Sequence, residues 1–425
     1  MKTKAYKQFN EDVKTFTVKN RLKVMVIRKR DFHKTYVTIS SPLGSIHHGY
    51  KDNDKSVRVP AGIAHFLEHK IFEQNGEDIS RIFALKEAQI NAFTEHNRTT
   101  YLFNATAHVH EHITRLVTMF FHPQFTEEGV AKEKNVIKEE LNMHLDDPYY
   151  IQYHTLLNNM FHRHPIKDDI LGDETSIDAM SPEVLKAMHE AYYQPEISSL
   201  VVIGDLEAEA LKTTLEATIT LPEKSTLLPL DDAFDEPSHV LKNRQSIDLD
   251  ILVPSVLVGL KHMPKANETM RTRLVKQLAF TMFLDLVFGK SSDYYEQLLD
   301  QGLINDSYGL DVQLESSYGY VMVGSESQHP DQLEQILRDK LLNFPNETID
   351  KEDFNRVKKQ MIGNFIMSLD SLEYLAHENS RYTHEDITLY DVLDIALTID
   401  YSTMMNQAEA IDDTMLTSVV IKPKK

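Results

Sequence analysis

Two histidines four residues apart carry the clearest chemical signal in the chain. They bound the segment His65-Phe66-Leu67-Glu68-His69, and a helix over this segment would place both imidazoles on one face. Two imidazoles at that spacing can bind one Zn²⁺ ion, and the carboxylate of Glu68 beside them can take a proton from a metal-bound water. Because the chain holds 20 histidines, this motif alone leaves an ordinary solvent-exposed helix face as an equally good interpretation.

A second acidic pattern with helical spacing lies about seventy residues downstream. Glu133 and Glu140 are seven residues apart, which is two helical turns, and they share a face that Glu139 does not. An exposed acidic helix is the ordinary interpretation of such a segment. A third ligand at the right place would instead complete a metal site with the two histidines.

Together the two patterns resemble the insulinase/pitrilysin family of zinc peptidases, in which the H-x-x-E-H order is the inverzincin form. The downstream pattern E-K-x-V-I-x-x-E is similar to the family's second motif. The resemblance implies that Glu140 is the third metal ligand beside His65 and His69, that Glu133 is an accessory catalytic residue, and that Glu68 is the general base. It also implies one Zn²⁺ per chain, although ligands of this type accept Mn²⁺ or Co²⁺ as well.

A predicted strand pair follows the motif helix, and its first strand contains Asn91, Ala92, Phe93 and Thr94. It is similar to the family's N-A-x-T…T-x-Y pair, whose edge strand accepts an extended substrate. Addition of a strand gives affinity through main-chain hydrogen bonds and demands little of the substrate's side chains. The resemblance therefore assigns these four residues to substrate binding, with an ordinary hairpin as the alternative.

Composition restricts the classes of function. The chain has 425 residues, no cysteine and a formal net charge of −20. The lack of cysteine excludes disulfides and thiolate zinc sites, and the acidic balance argues against nucleic acid or an anionic membrane as a partner. We find no long apolar run and no signal-peptide pattern, so we expect a cytoplasmic protein without a membrane segment.

The elements that must position these residues are strands and helices in both halves of the chain, separated by a proline-rich and acidic stretch. We predict an N-terminal zinc-binding domain at 1–222, a linker at 223–239 and a C-terminal domain of similar fold at 240–425. The expected fold class is α+β, with two similar domains, each a mostly antiparallel sheet packed with helices. The family resemblance adds that the two domains enclose a chamber.

The second half departs from the family pattern. Active members carry an arginine and a tyrosine within R-E-K-x-G-L-x-Y, and we expect Leu299 and Asn305 at those two positions here. Tyr308 lies nearby, and no arginine occurs from 274 to 337. Some two-domain bacterial relatives pair a zinc-bearing chain with one that supplies both residues. This chain resembles the zinc-bearing, YmfH-like member of such a pair.

The leading functional prediction is a zinc metalloendopeptidase acting on short unfolded peptides, as a homo- or heterodimer with a related chain that lacks the metal motif. A processing subunit that binds zinc but needs a second chain for Arg and Tyr, or that cleaves nothing, is the first alternative. A hydrolase of non-peptide amides is the second.

Overall fold

The structure is a computed structural model that describes residues 1–74, 76–230, 234–264, 268–408 and 411–424. The strands, in chain order, are β1 (Lys2–Tyr6), β2 (Glu11–Val18), β3 (Leu22–Arg28), β4 (Thr35–Ser41), β5 (Gly49–Asp52), β6 (Lys55–Arg58), β7 (Glu73–Gln74), β8 (Glu77–Asp78), β9 (Ala88–Thr94), β10 (Thr99–Ala105), β11 (Ser199–Gly204), β12 (Leu227–Pro229), β13 (Arg244–Leu249), β14 (Ser255–Lys261), β15 (Gly309–Leu314), β16 (Gly319–Glu326) and β17 (Leu416–Pro423). The α-helices, in the same order, are α1 (Ile63–Ile71), α2 (Ser80–Ala84), α3 (Val109–Phe121), α4 (Glu127–Leu145), α5 (Pro148–Met160), α6 (Glu174–Asp178), α7 (Pro182–Tyr192), α8 (Ala208–Thr218), α9 (Met270–Phe288), α10 (Asp293–Asp300), α11 (Pro330–Asn343), α12 (Lys351–Ser368), α13 (Leu372–Tyr382), α14 (Leu389–Thr398) and α15 (Tyr401–Met405).

The chain divides into two compact units, each built from three segments. The first unit comprises Met1–Leu141, Asp168–Asp231 and Ser368–Asp391. The second comprises Asn142–Lys167, Asp232–Met367 and Val392–Lys425. In each unit, at least one segment lies between two segments of the other unit in the sequence. The domain boundaries at 222 and 240 stay a prediction.

A seven-stranded sheet in the order β1-β2-β3-β11-β4-β10-β9 forms the centre of the first unit. Its neighbouring strands are antiparallel except β3 and β11, which are parallel. All residues of β4 and β11 are buried, as expected for strands covered on both faces. Helices of this unit pack against this central sheet, and β9 lies at its edge.

A five-stranded sheet in the order β13-β17-β14-β16-β15 forms the centre of the second unit. Its first strand, β13, pairs in parallel with its last strand, β17, and β17 pairs antiparallel with β14. The strands β3, β11, β4, β10 and β9 of the first unit repeat this order and these directions. The predicted α+β fold with two similar domains is thus confirmed.

Helix α4 is amphipathic, with an apolar face that is buried and charged side chains on its other faces. Its apolar residues Val130, Ile137 and Leu141 are at most 5% exposed, and their spacing of seven and four puts them on one face. This face packs into the hydrophobic core of the first unit. Among the described residues, no helix combines the length and apolarity that a membrane crossing requires.

We expect the stability of the first unit to fall in mild acid because of His189. Its ring is buried in α7, and Nε2 donates a hydrogen bond of 2.9 Å to the carbonyl of Phe120. Burial lowers the pKa of His189 to about 4. The unfolded chain therefore binds a proton near pH 6.5 that the native chain does not, and stability is lost as pH falls from 6.5 towards 4.

Between pH 7.5 and pH 5 this difference amounts to about 2 kcal/mol. Urea unfolding at both pH values measures it, with His189→Gln as the comparison, since the variant has no imidazole to protonate. An equal loss of stability in both chains would show that other groups cause the acid sensitivity.

Candidate metal centre

Helix α1 begins immediately after Gly62. Gly62 has a φ of +82°, and a Cβ at this position would lie 2.3 Å from the carbonyl oxygen of Leu171. Glycine is therefore required both by the backbone conformation and by the close approach of the chain. Phe66 and Leu67 pack into the core of the first unit and fix the rotation of the helix. The opposite side of α1 presents His65 and His69.

Helix α4 brings Glu140 to the two histidines. Ligand atoms of His65, His69 and Glu140 all lie within 4.8 Å of one another, the one such group of three His or carboxylate side chains among the described residues. Glu139, in contrast, is exposed on another side of α4. The helical spacing of seven thus places Glu133 and Glu140, but not Glu139, on the side that faces α1.

The distances within this group fit a tetrahedral zinc site. Nε2 of His65 lies 3.7 Å from Oε1 of Glu140, and Nε2 of His69 lies 3.5 Å from its Oε2. Ligands at zinc bond lengths of 2.0–2.2 Å and tetrahedral angles are separated by about 3.4 Å. Two imidazoles and one carboxylate are also a usual donor set for catalytic zinc. The residues present therefore fit this metal without a change of fold.

Glu133 binds His69 rather than joining the group of three. Nδ1 of His69 donates a hydrogen bond of 3.0 Å to Oε1 of Glu133, which turns Nε2 towards Glu140. Burial acts to lower the pKa of His69, but the hydrogen bond to Glu133 and the negative charges of Glu133, Glu68 and Glu140 outweigh it and raise this pKa. A carboxylate on the second ring nitrogen fixes the tautomer and the orientation of a ligating histidine.

We expect Glu133→Gln to weaken zinc binding about 10- to 100-fold, because the amide holds the His69 ring less firmly than the carboxylate does. Competition with a chromophoric chelator measures the zinc dissociation constant. Glu139→Gln, which removes a charge from an exposed position of the same helix, serves as the control. Equal affinities of the two variants would contradict an orienting role for Glu133.

Glu68 lies beside the histidines and is held by a hydroxyl from strand β9. Oγ1 of Thr94 donates a hydrogen bond of 2.6 Å to Oε2 of Glu68. Burial raises the pKa of Glu68, the Thr94 hydrogen bond and the charge of His69 lower it, and the charge of Glu140 raises it again, with a net increase. The side chain of Thr94, assigned by the resemblance to substrate binding, thus also contacts the expected general base.

We expect Thr94→Val to lower kcat for peptide hydrolysis about 10- to 100-fold, the value of one hydrogen bond to a charged group, while KM and zinc affinity change little. Thr94→Ser retains a hydroxyl and should recover most of the rate. A rise in KM at constant kcat would show that Thr94 acts on the substrate instead of on Glu68.

The predicted substrate residues lie on an open sheet edge. Strand β9 is the last strand of the seven-stranded sheet, and its register with β10 pairs Ala92 with Tyr101. The N–H of Ala92 donates to the side chain of Asn91 at 2.9 Å. Asn91 and Ala92 also line a cleft of about 780 Å³, together with Glu68, His69, Phe72 and Val136. The structure thus brings this edge next to the histidine motif, while Phe93 contacts the ring of His377.

The corresponding residues of the second unit offer no Arg/Tyr pair. The family pattern separates its arginine and tyrosine by seven positions, so Asn305 at the tyrosine position puts Leu298, rather than the expected Leu299, at the arginine position. Leu298 is 2% exposed on α10, and Asn305 donates a hydrogen bond of 2.9 Å to Glu326. The hydroxyl of Tyr308 donates to the carbonyl of Phe288 at 2.9 Å, and this tyrosine is 4% exposed. Tyr308 therefore does not replace the missing phenol in this conformation.

Comparison with known proteins decides the family. Residues 45–174 match the model for insulinase (peptidase family M16), and residues 179–361 match the model for the peptidase M16 inactive domain. An uncharacterised zinc protease of Bacillus subtilis, YmfH, is 33% identical over 99% of this chain and 98% of its own length. The chain belongs to the M16 peptidase family. A second zinc protease of B. subtilis, YmxG, is 23% identical over 87% of each chain.

Solved structures agree with this assignment. A crystal structure described as an M16-like peptidase from Alicyclobacillus acidocaldarius covers 97% of this chain and 99% of its own, with 28% identity and a TM-score of 0.91. A protease from Helicobacter pylori, 21% identical over 97% of this chain and 99% of its own, has the same fold with a TM-score of 0.80. The expected insulinase-type family and its YmfH-like branch are thereby confirmed.

Proposed function

We propose that this M16 chain is a zinc metalloendopeptidase that hydrolyses short, unfolded peptides. The observation that carries the proposal is the convergence of His65, His69 and Glu140, with oxygens of Glu140 3.7 and 3.5 Å from the two Nε2 atoms, beside a half-buried carboxylate and an open strand edge. The names of YmfH and YmxG as zinc proteases support it. We assign one Zn²⁺ to these three residues.

Each residue of the site has a task in this function. When bound, zinc supplies a Lewis acid that polarises the peptide carbonyl and makes water acidic enough to attack at neutral pH. Glu68, oriented by Thr94, takes the proton of the attacking water and delivers it to the leaving amine. Glu133 holds the ring of His69, and the edge of β9 at Asn91, Ala92, Phe93 and Thr94 binds the substrate backbone as an added strand.

A second candidate function is favoured by the residues at the arginine and tyrosine positions, Leu298 and Asn305. Groups that stabilise a developing oxyanion contribute several kcal/mol in comparable sites. With leucine and asparagine where the family carries Arg and Tyr, we propose that a related second chain supplies both groups in a heterodimer. In this form the isolated chain binds zinc but cleaves peptides slowly or not at all.

Zinc analysis combined with cleavage of a mixed peptide library tests both candidates. The purified chain is assayed alone and with a co-expressed relative that contains the R-E-K-x-G-L-x-Y pattern. Stoichiometric zinc with cleavage by the chain alone supports a self-sufficient peptidase, and cleavage only in the mixture supports the heterodimer. A chain that binds no zinc under either condition would overturn both.

A further inference from the structure

Lys70, the residue after His69, is a buried cation that the proposed chemistry does not use. Its side chain has no exposed surface, and its ammonium group donates a hydrogen bond to the carboxylate of Glu73. Burying an ammonium group is costly unless it is paired. Although Lys70 directly follows His69, it does not belong to the group formed by His65, His69 and Glu140. This side chain therefore needs a separate structural explanation.

The ammonium group of Lys70 lies against Gly129 in the first turn of α4. A Cβ at Gly129 would lie 2.8 Å from Nζ of Lys70, 2.9 Å from Oγ1 of Thr126 and 3.0 Å from Oε1 of Glu73. Thr126 also accepts the N–H of Gly129 at 3.1 Å, at the start of the helix. Three polar groups thus surround the position that the Cβ of any other residue at 129 would occupy.

Gly129 belongs to the same face of α4 as the carboxylates of the site. Gly129, Glu133 and Glu140 are spaced by four and seven residues, so they form one stripe along the helix. Their neighbours on α1 follow in the reverse order, as Lys70, His69 and His65. The contacts of His65 with Glu140 and of His69 with Glu133 involve groups that would bind the metal or orient one of its ligands. The contact between Lys70 and Gly129 involves no such group.

We propose that Lys70, its partner Glu73 and Gly129 are positioning residues that set the separation of α1 and α4, and thereby the fit of His65, His69 and Glu140 to a metal ion. The inference rests on the proposed zinc function. The Lys70 side chain is fully buried and that of its partner Glu73 is 31% exposed, and the missing side chain at Gly129 leaves room for both charged groups beside the start of α4.

The zinc dissociation constant of the metal-free chain tests this proposal without any assay of catalysis. Gly129→Ala keeps every charge but adds a methyl group at the contact, and we expect zinc to bind about 10- to 100-fold more weakly, as when a supporting group outside the ligands is disturbed. Gly363→Ala in α12 is the matched control, because nothing lies within 4 Å of its added Cβ. Both variants gain similar helix propensity, so the control should bind zinc like the unmodified chain.

A second variant removes the ion pair without adding volume at Gly129. Lys70→Met combined with Glu73→Met leaves the net charge unchanged, and we expect a similar loss of affinity. The visible absorption spectrum of the Co²⁺-substituted chain should shift in both test variants, because it depends on ligand geometry. A role confined to folding would lower the melting temperature and leave the spectrum and the affinity unchanged.

The outcomes separate this inference from the function on which it rests. Zinc binding by the unmodified chain, with equal affinity and an equal cobalt spectrum in the test variants, would overturn the positioning role alone. Absence of zinc binding in the unmodified chain would overturn the proposed function and this inference together. If Gly129→Ala does not fold, the charge-neutral double variant decides between these outcomes.

Discussion

Glu68→Gln is expected to lower kcat for peptide hydrolysis about 10²- to 10⁴-fold and to leave one zinc ion bound per chain. The amide has nearly the shape of the carboxylate and can still contact Thr94, but it cannot take a proton from water. Zinc content should be retained because Glu68 does not belong to the group formed by His65, His69 and Glu140. Library cleavage and metal analysis of the same preparation measure the two quantities.

The matched control for this experiment is Glu139→Gln, which removes one carboxylate from an exposed position of α4. It should leave both zinc content and kcat unchanged. Both variants are assayed in the form that cleaves the library, with or without a partner chain. Retention of more than a tenth of the rate by Glu68→Gln would exclude Glu68 as the general base, and loss of zinc would make it a ligand.

Glu236→Gln is expected to destabilise the second unit by about 3–5 kcal/mol, the largest stability effect we predict. Glu236 and Lys261 have no exposed side-chain surface and form an ion pair of 2.5 Å. The backbone N–H groups of His162, Arg163 and His164 also donate to Glu236 at 2.7–2.8 Å. The amide would leave the ammonium of Lys261 buried without its counter-charge.

The pKa of Glu236 agrees with this interpretation. Burial opposes its ionisation, but Lys261 and the three N–H groups outweigh burial and lower the pKa to about 2. The pair therefore contributes stability above the ordinary pKa of a glutamate, near 4.5, and this contribution is lost as pH falls towards 2.

Denaturant unfolding of Glu236→Gln and Asp235→Asn separates the buried pair from an exposed one. The carboxylate of Asp235 is 99% exposed and contacts Arg163 at 2.9 Å, so its loss should cost less than about 1 kcal/mol. Adding Lys261→Met to Glu236→Gln should recover part of the stability, because no unpaired charge then remains. Equal stability of the two single variants would contradict the importance of the buried pair.

Sequence patterns predicted strands least well where the residues are exposed or only partly buried. An apolar run at 251–258 predicts a strand, whereas β14 begins at Ser255, directly after Pro254, because proline cannot donate a ladder hydrogen bond. Strand β1 carries charged and polar side chains, and four of its five residues are exposed, so no hydrophobic alternation marks it. Strand β1 is recognised only in the structure, where its backbone pairs antiparallel with β2.

The sequence by itself determined the types and the helical spacing of the ligand candidates, because the positions of His65, His69, Glu133 and Glu140 around their helices depend only on local periodicity. Local residues also mark where these helices start: Gly62 precedes α1, and Thr126 accepts the N–H of Gly129 at the start of α4. The assignment of Glu140 as the third ligand required the family resemblance, because spacing within one helix does not reveal what the helix faces.

Tertiary structure alone decided which groups from distant segments meet. Thr94 contacts Glu68, Lys70 lies against Gly129, and Glu236 receives the N–H groups that follow α5, although none of these pairs has a sequence pattern that predicts it. Such contacts depend on how helices and strands pack around the core, where burial makes each polar group find a partner at whatever position packing provides. Local spacing therefore identifies ligand candidates along one helix, whereas the contacts of Thr94 and Lys70 with the groups around them follow only from tertiary packing.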